Sequence, residues 1–318
     1  MISISSTWGF WRPSQFARVL LPFLLFTFLL EGCIGENMED CVTYQGKLSI
    51  VKSDGVNVDL ATVGLYQFSN NGFVRIIPLN NDSLIVVTSD KNASFTLIGW
   101  GNLQTDTLEV SPPAPGEPAS TGRVSLRSTA GGLHLTAPDL FYGSFQTDGG
   151  VSRGTSTDDG GTEHVTALTR ATEVQTFKLV IKRIVCELSV HVLHADEYAG
   201  ASPGELSLIV RGTGAALDFL GQPTSDIGSC SPLLRAVAAG EWLSPVFRVF
   251  PSPPNSNLSL ELYRNGTLFN VITMDDEGNP LQALPDKQIR VTVDYRYSRV
   301  HVGVNVVPWG TTDQDVQL

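Results

Sequence analysis

The chain has 318 residues, with 32 acidic against 21 basic side chains and a formal net charge of −11. That balance disfavours nucleic acid and anionic lipid headgroups as partners, because both need a basic face. Hydrophobic residues, at 42%, suffice for real cores, while charged residues are few at 17%, a composition that fits an exported β-rich protein better than a cytosolic enzyme.

The N-terminus reads as a bacterial export signal. Arg12 and Arg18 precede an apolar run from Val19 to Leu30, which Glu31, Gly32 and Cys33 follow. A basic stretch, an apolar stretch and then small residues are the layout of a cleavable leader. The run is shorter than the ~20 residues a membrane-spanning helix requires, and Pro22 interrupts it. Leu30 and Gly32 ahead of Cys33 resemble a lipobox, in which the cysteine thiol receives a diacylglycerol and becomes the new N-terminus. Glu31 departs from that pattern, where a small residue is usual. Residues 1–32 are therefore expected to be a lipoprotein signal peptide and Cys33 the lipid-attachment residue. At ~0.8 kcal/mol per buried methylene, two or three acyl chains would hold the protein on a bilayer surface.

Beyond Cys33 the pattern is β throughout, with short apolar runs and turn signals at sandwich-like spacing. Strands are expected at Val63–Phe68, Phe73–Leu79 and Leu84–Thr88, separated by Asn70-Asn71-Gly72 and Asn80-Asn81-Asp82. Ser111–Thr121 is a Pro-rich excursion, and Gln146–Thr166, almost without apolar residues, reads as a linker. A boundary near Thr169–Thr172 divides the remainder into residues 33–170 and 171–318.

In the second part the apolar parity switches between Phe177-x-Leu179-x-Ile181 and the row Ile184, Cys186, Leu188, Val190 and Val192, which requires a bulge or bend near Lys182-Arg183. The run from Ser231 to Ala239 is expected to be a short helix, with Ser231 as its cap, Pro232 at its first position and Gly240 as its stop. Leu258, Leu260 and Leu262 alternate, and Asn265-Gly266 then predicts a type I′ hairpin returning through Leu268–Ile272. A second parity switch separates Val291, Val293, Tyr295 and Tyr297 from Val300, Val302, Val304 and Val306, with a connection or bulge at Ser298-Arg299.

The candidates for chemistry are weak. Gly200-Ala201-Ser202-Pro203-Gly204 fits the G-x-S-x-G string, but Pro203 lacks the N–H that an oxyanion hole draws from the residue after the serine. His191 and His194 point to opposite faces of a strand and cannot share a metal, and the other histidines are scattered. Asp158-Asp159-Gly160-Gly161 lacks the alternating ligands of a calcium loop. Cys41, Cys186 and Cys230 permit one disulfide and leave one thiol over, with Cys186 reading as a small buried hydrophobe. No catalytic residue, metal or cofactor is expected. Trp100, Trp242 and Trp309 would form a stacking platform if they met, which is the basis of an alternative reading as a surface lipoprotein that binds glycan or host protein.

Three motifs, in this order and spacing, carry a family resemblance: Cys33-Ile-Gly-Glu-Asn-Met-Glu-Asp-Cys41, Phe177-Lys-Leu-Val-Ile-Lys-Arg183, and Val302-Gly-Val-Asn-Val-Val-Pro-Trp309-Gly310. Together they make the mature chain similar to the FimB-type fimbrial anchor lipoproteins of the Bacteroidales. The resemblance implies an all-β protein of two tandem transthyretin-like sandwiches. It also implies an outer-membrane, cell-surface lipoprotein, held by its N-terminal lipid, whose partner is a fimbrial shaft subunit. Related subunits assemble by strand exchange, a form of β-augmentation, after an Arg-directed protease removes their first strand. Here no arginine lies between Cys33 and Arg75. The first strand, about Tyr44–Val51, is thus expected to stay, and partner capture is expected to fall to the C-terminal region near Val300–Leu318, at Val300, Val302, Val304, Val306 and Trp309, or to a non-strand interface.

Overall fold

The structure, a computed structural model, describes residues 41–52, 62–78, 84–90, 94–148, 151–153, 175–197, 205–296 and 300–309. Cys33, the Gly200–Gly204 string, Asp158–Gly161 and Ser298-Arg299 lie outside the described residues. The first half supplies β1 (Cys41–Lys52), β2 (Val63–Ser69), β3 (Gly72–Ile77), β4 (Leu84–Asp90), β5 (Phe95–Gly101), β6 (Leu108–Ser111), β7 (Arg123–Leu126), β8 (Phe141–Asp148) and β9 (Val151–Arg153). The second supplies β10 (Gln175–Arg183), β11 (Cys186–Leu193), β12 (Leu206–Gly214), β13 (Ala216–Asp218), β14 (Ile227–Cys230), β15 (Arg235–Ala238), β16 (Glu241–Leu243), β17 (Phe247–Val249), β18 (Ser259–Arg264), β19 (Thr267–Ile272), β20 (Lys287–Asp294) and β21 (His301–Pro308). No α-helix occurs among the described residues.

The largest sheet runs β3-β2-β5-β8-β10-β1-β4, with β9 paired to β8. A second runs β15-β16-β11-β20-β21, with β17 on β11, and faces a third of order β14-β12-β18-β19. The alternation of β11, buried at Cys186, Leu188, Val190 and Val192, supplies one wall of their shared core, and Leu206, Leu208, Val210, Leu258, Leu260 and Leu262 supply the other. A small sheet, β13-β7-β6, joins strands from both halves.

The first parity switch marks a change of sheet. Leu179 and Ile181 on β10 are buried in the core of the large sheet. Ile184 and Val185 turn into a middle cluster with Trp100, Leu140 and Phe250, and Cys186 opens β11 in the next sheet. The bend therefore falls at Ile184-Val185, just after the expected position. The predicted hairpin forms: Asn265 and Gly266 take φ of 48° and 78° between β18 and β19, as a type I′ turn requires.

Two expectations are corrected. The helix over Ser231–Ala239 is absent, and Arg235–Ala238 is β15, paired with β16. Ser231 donates its hydroxyl hydrogen bond to the Leu208 carbonyl rather than capping a helix. Gly240, at φ 71°, turns the hairpin, and a Cβ there would collide with the Asp196 carboxylate. Of Leu233, Leu234, Val237 and Ala238, which a helix here would turn toward a sheet, only Leu234 is buried, so no helical stripe has a surface to cover. The start of the expected linker is also β-structured, because Gln146–Asp148 close the end of β8 and pair with β9. Backbone ladders need no apolar side chains, which is why a polar stretch could join the sheet.

Candidate functional site: the C-terminal strand

β21 lies antiparallel to β20, in the register Val293↔Val302, Val291↔Val304 and Ile289↔Val306. It ends the sheet on that side among the described residues. Its even-numbered side chains share one face. Val304, in the middle, is 4% exposed and belongs to the core, whereas Val302 and Val306 are 38% and 39% exposed at the rim. Val300, just before the strand, is also exposed. The five predicted binding residues thus divide into a core residue, three rim valines and Trp309.

The backbone shows which groups face outward. In an antiparallel pair, alternate residues turn N–H and C=O away from the partner strand. The Val304 N–H points away from β20 and donates to Asp276 Oδ1 at 2.7 Å, so the outward set is Val302, Val304 and Val306. The next residue of that parity, Pro308, has no N–H to offer.

Trp309 is held at the other end of the strand. Its backbone N–H donates to the Asp286 carbonyl at 3.1 Å. Its ring lies 3.6 Å from the guanidinium carbon of Arg183, with that of Arg248 at 5.5 Å. Arg183 is 5% exposed and is forked onto Asp139, with Nε to Oδ1 at 2.5 Å and Nη2 to Oδ2 at 2.7 Å. Arg248 lies 3.5 Å from Glu187, which accepts from Gln288 Nε2 at 2.6 Å. Burial pushes the neighbouring Asp286 carboxyl up, against the pull of Arg183, Lys287 and Lys182. A buried fork geometry of this kind is what arginine provides and lysine does not. The second and third family motifs therefore meet in space, joining the end of β10 to the end of β21.

The other sequence candidates are dispersed. Trp100 is fully buried and donates Nε1–H to the Phe219 carbonyl at 3.3 Å. Trp242 packs partly buried against the β11 core. With Trp309 stacked on Arg183, the three tryptophans form no common platform. His191 contacts Glu241 at 2.7 Å and His194 contacts Asp294 at 2.8 Å, so each meets its own carboxylate. Among the described residues no cluster of three or more ligating side chains gathers to hold a metal. Cys186 and Cys230 are free and buried, and desolvation pushes both thiols up to about 12. Sequence reading missed Asp139, Arg248 and Asp276. Of these only Asp276 carried a local signal, the turn-forming string Asp275-Asp276-Glu277-Gly278-Asn279.

Comparison with known proteins places the chain. It is 23% identical over 316 residues to the major fimbrium anchoring subunit FimB of Porphyromonas gingivalis, covering 92% of this chain and 94% of that one. The fold is shared with a candidate polysaccharide-binding protein of Bacteroides thetaiotaomicron, with a TM-score of 0.59 at 13% identity over 84% of this chain and 98% of that one. It is shared too with the fimbrial anchor protein Mfa2 of Porphyromonas gingivalis, with a TM-score of 0.55 at 12% identity over 85% and 98%. The profile of the fimbrillin-A associated anchor proteins Mfa1 and Mfa2 matches residues 57–315, and the chain belongs to that family.

Proposed function

We propose that this protein is a non-enzymatic anchor subunit that ties a fimbria to the outer membrane, held by lipid on Cys33 and engaging a shaft subunit through the rim of β21. In this reading residues 1–32 are removed as a signal peptide, and residues 33–170 and 171–318 are two transthyretin-like sandwiches in tandem. The separate core shared by β11, β12, β18 and β20 supports the second of these.

The observation that carries the reading is the position of β1. It runs parallel to β10, from Gly46↔Gln175 to Lys52↔Ile181, and has β4 on its other side. The first described strand fills a place inside the sheet and begins eight residues after Cys33. A subunit built this way keeps its lipid and its first strand together, so a partner must be met elsewhere. β21, with one neighbouring strand among the described residues and exposed valines, offers main-chain groups and side-chain positions suited to an added strand.

The test is Cys33→Ser in the producing cell. Loss of the acyl chains should move the protein from the detergent-extracted envelope to the soluble fraction and shed fimbriae into the medium. Unchanged envelope retention of both would remove the tether from the account.

A further inference from the structure

Resting on the reading of β21 as the docking edge, we infer that the turn between β19 and β20 is a displaceable guard on that edge. In this inference Asp276 holds the Val304 N–H that an incoming strand must take.

The turn is built to present that one side chain. Met274 and Pro280 form an isolated antiparallel bridge, and the Leu281 N–H donates to the Thr273 carbonyl at 2.9 Å. Asp275 braces the loop, its Oδ1 accepting from the N–H groups of Glu277 and Asn279 at 3.0 and 2.8 Å. Asn279 Nδ2 donates back to Asp275 Oδ2 at 3.2 Å, and Gly278 takes φ 84° at the tip. These contacts lie within the turn, so its shape does not depend on β21. The hydrogen bond from Val304 to Asp276 crosses to the strand and can be exchanged while the turn keeps its form.

Its placement matches what an unguarded edge would do. Unpaired strand edges template further pairing, and proteins blunt them with charge or proline. The pairable window runs from Val302 to Val306, about 17 Å at ~3.4 Å per residue, with Pro308 ending it on one side. Asp276 sits over the middle. Two copies meeting edge to edge about Val304 would bring two Asp275-Asp276-Glu277 turns together, and like charges would oppose them. The partner that fits is a short extended strand of a fimbrial subunit. It would set a carbonyl against the Val304 N–H and apolar side chains beside Val302 and Val306, and would carry a basic residue toward the acidic turn.

The experiment measures binding of the full-length, detergent-solubilised lipoprotein to immobilised fimbriae sheared from the producing cells, for wild type, Asp276→Ala, Asp276→Asn and Val306→Pro. Removing a charge-assisted competitor should tighten binding about tenfold in Asp276→Ala. Asp276→Asn, which keeps an acceptor but loses the charge, should fall between it and wild type. Val306→Pro should weaken binding. Hydrogen exchange at the Val304 amide should accelerate in Asp276→Ala with the rest of β21 still protected, which confirms that the variant folds. Equal or weaker binding by both Asp276 variants, with Val306→Pro impaired, overturns the guard and leaves the edge reading intact. Wild-type binding by Val306→Pro overturns both.

Discussion

The first and last strands of the described chain are set into the fold in opposite ways. β1 is enclosed by β10 on one side and β4 on the other. Among the described residues, β21 has β20 on one side, and on the other the Asp276 carboxylate and a proline-terminated rim. An enclosed strand contributes to stability and has no main-chain groups to lend. A rim strand contributes less and can trade a neighbour. In the proposed reading, the end of the chain that continues from Cys33 is the fixed end, and the far end is the exchangeable one.

The sharpest way to break this contrast is to delete residues 41–52 while keeping Cys33. β1 spans seven register pairs with β10 alone, and losing it leaves two unpaired edges inside a sheet. The cost should consume most of the ~5–15 kcal/mol that stabilises a typical domain, so soluble yield and cooperative melting should both be lost. A variant that stays soluble and melts cooperatively would show that β1 is as dispensable as a removable strand.

Arg183→Ala should come next. It leaves Asp139 with the more distant Arg248, at 3.8 Å, and removes the support beneath Trp309, and breaking a buried pair costs up to about 3–5 kcal/mol. Chemical denaturation checks this, with Arg183→Lys recovering little. Trp309→Ala should cost about 2 kcal/mol from the lost cation–π contact and apolar burial. Its distinguishing sign is faster hydrogen exchange over residues 300–309 with the large sheet unchanged. Equal loosening of both regions would mean that Trp309 is general packing rather than the fastening of β21.

The smallest effect sits at the opposite end of β21, where Asp294 pairs with His301 in the ladder. Desolvation raises the Asp294 carboxyl, but hydrogen bonds from His194 and Arg296 outweigh it and leave it below its usual range. A depressed carboxyl adds stability above its unfolded pKa of ~3.9 and loses it as pH falls through the lower folded value. The pair is solvent-screened, so the gain is below about 1 kcal/mol. The melting-temperature difference between wild type and Asp294→Asn should be present at pH 7 and shrink below pH 4.

Much of this contrast was legible in the sequence, because strands advertise themselves through alternation and tight turns. The Asn265-Gly266 hairpin was specified by residues adjacent in the chain, and the row Cys186-Leu188-Val190-Val192 by period. What escaped reading was set at long range. Nothing near Trp309 in sequence reveals that it stacks on Arg183 with Arg248 beside it, because the two arginines reach it through separate strands. Ser231-Pro232 followed by Gly240 carried a local helix signal that lost to strand pairing with Glu241–Leu243. Val304 appeared equivalent to Val302 and Val306 by parity, and only the facing sheet distinguishes the buried one.

The most direct test of the account is the intact mass of the protein extracted from the membranes of its own cells. The account predicts an acylated N-terminal Cys33 on a chain that still contains β1. An unacylated protein whose first residue lies at or beyond Arg75 would contradict it.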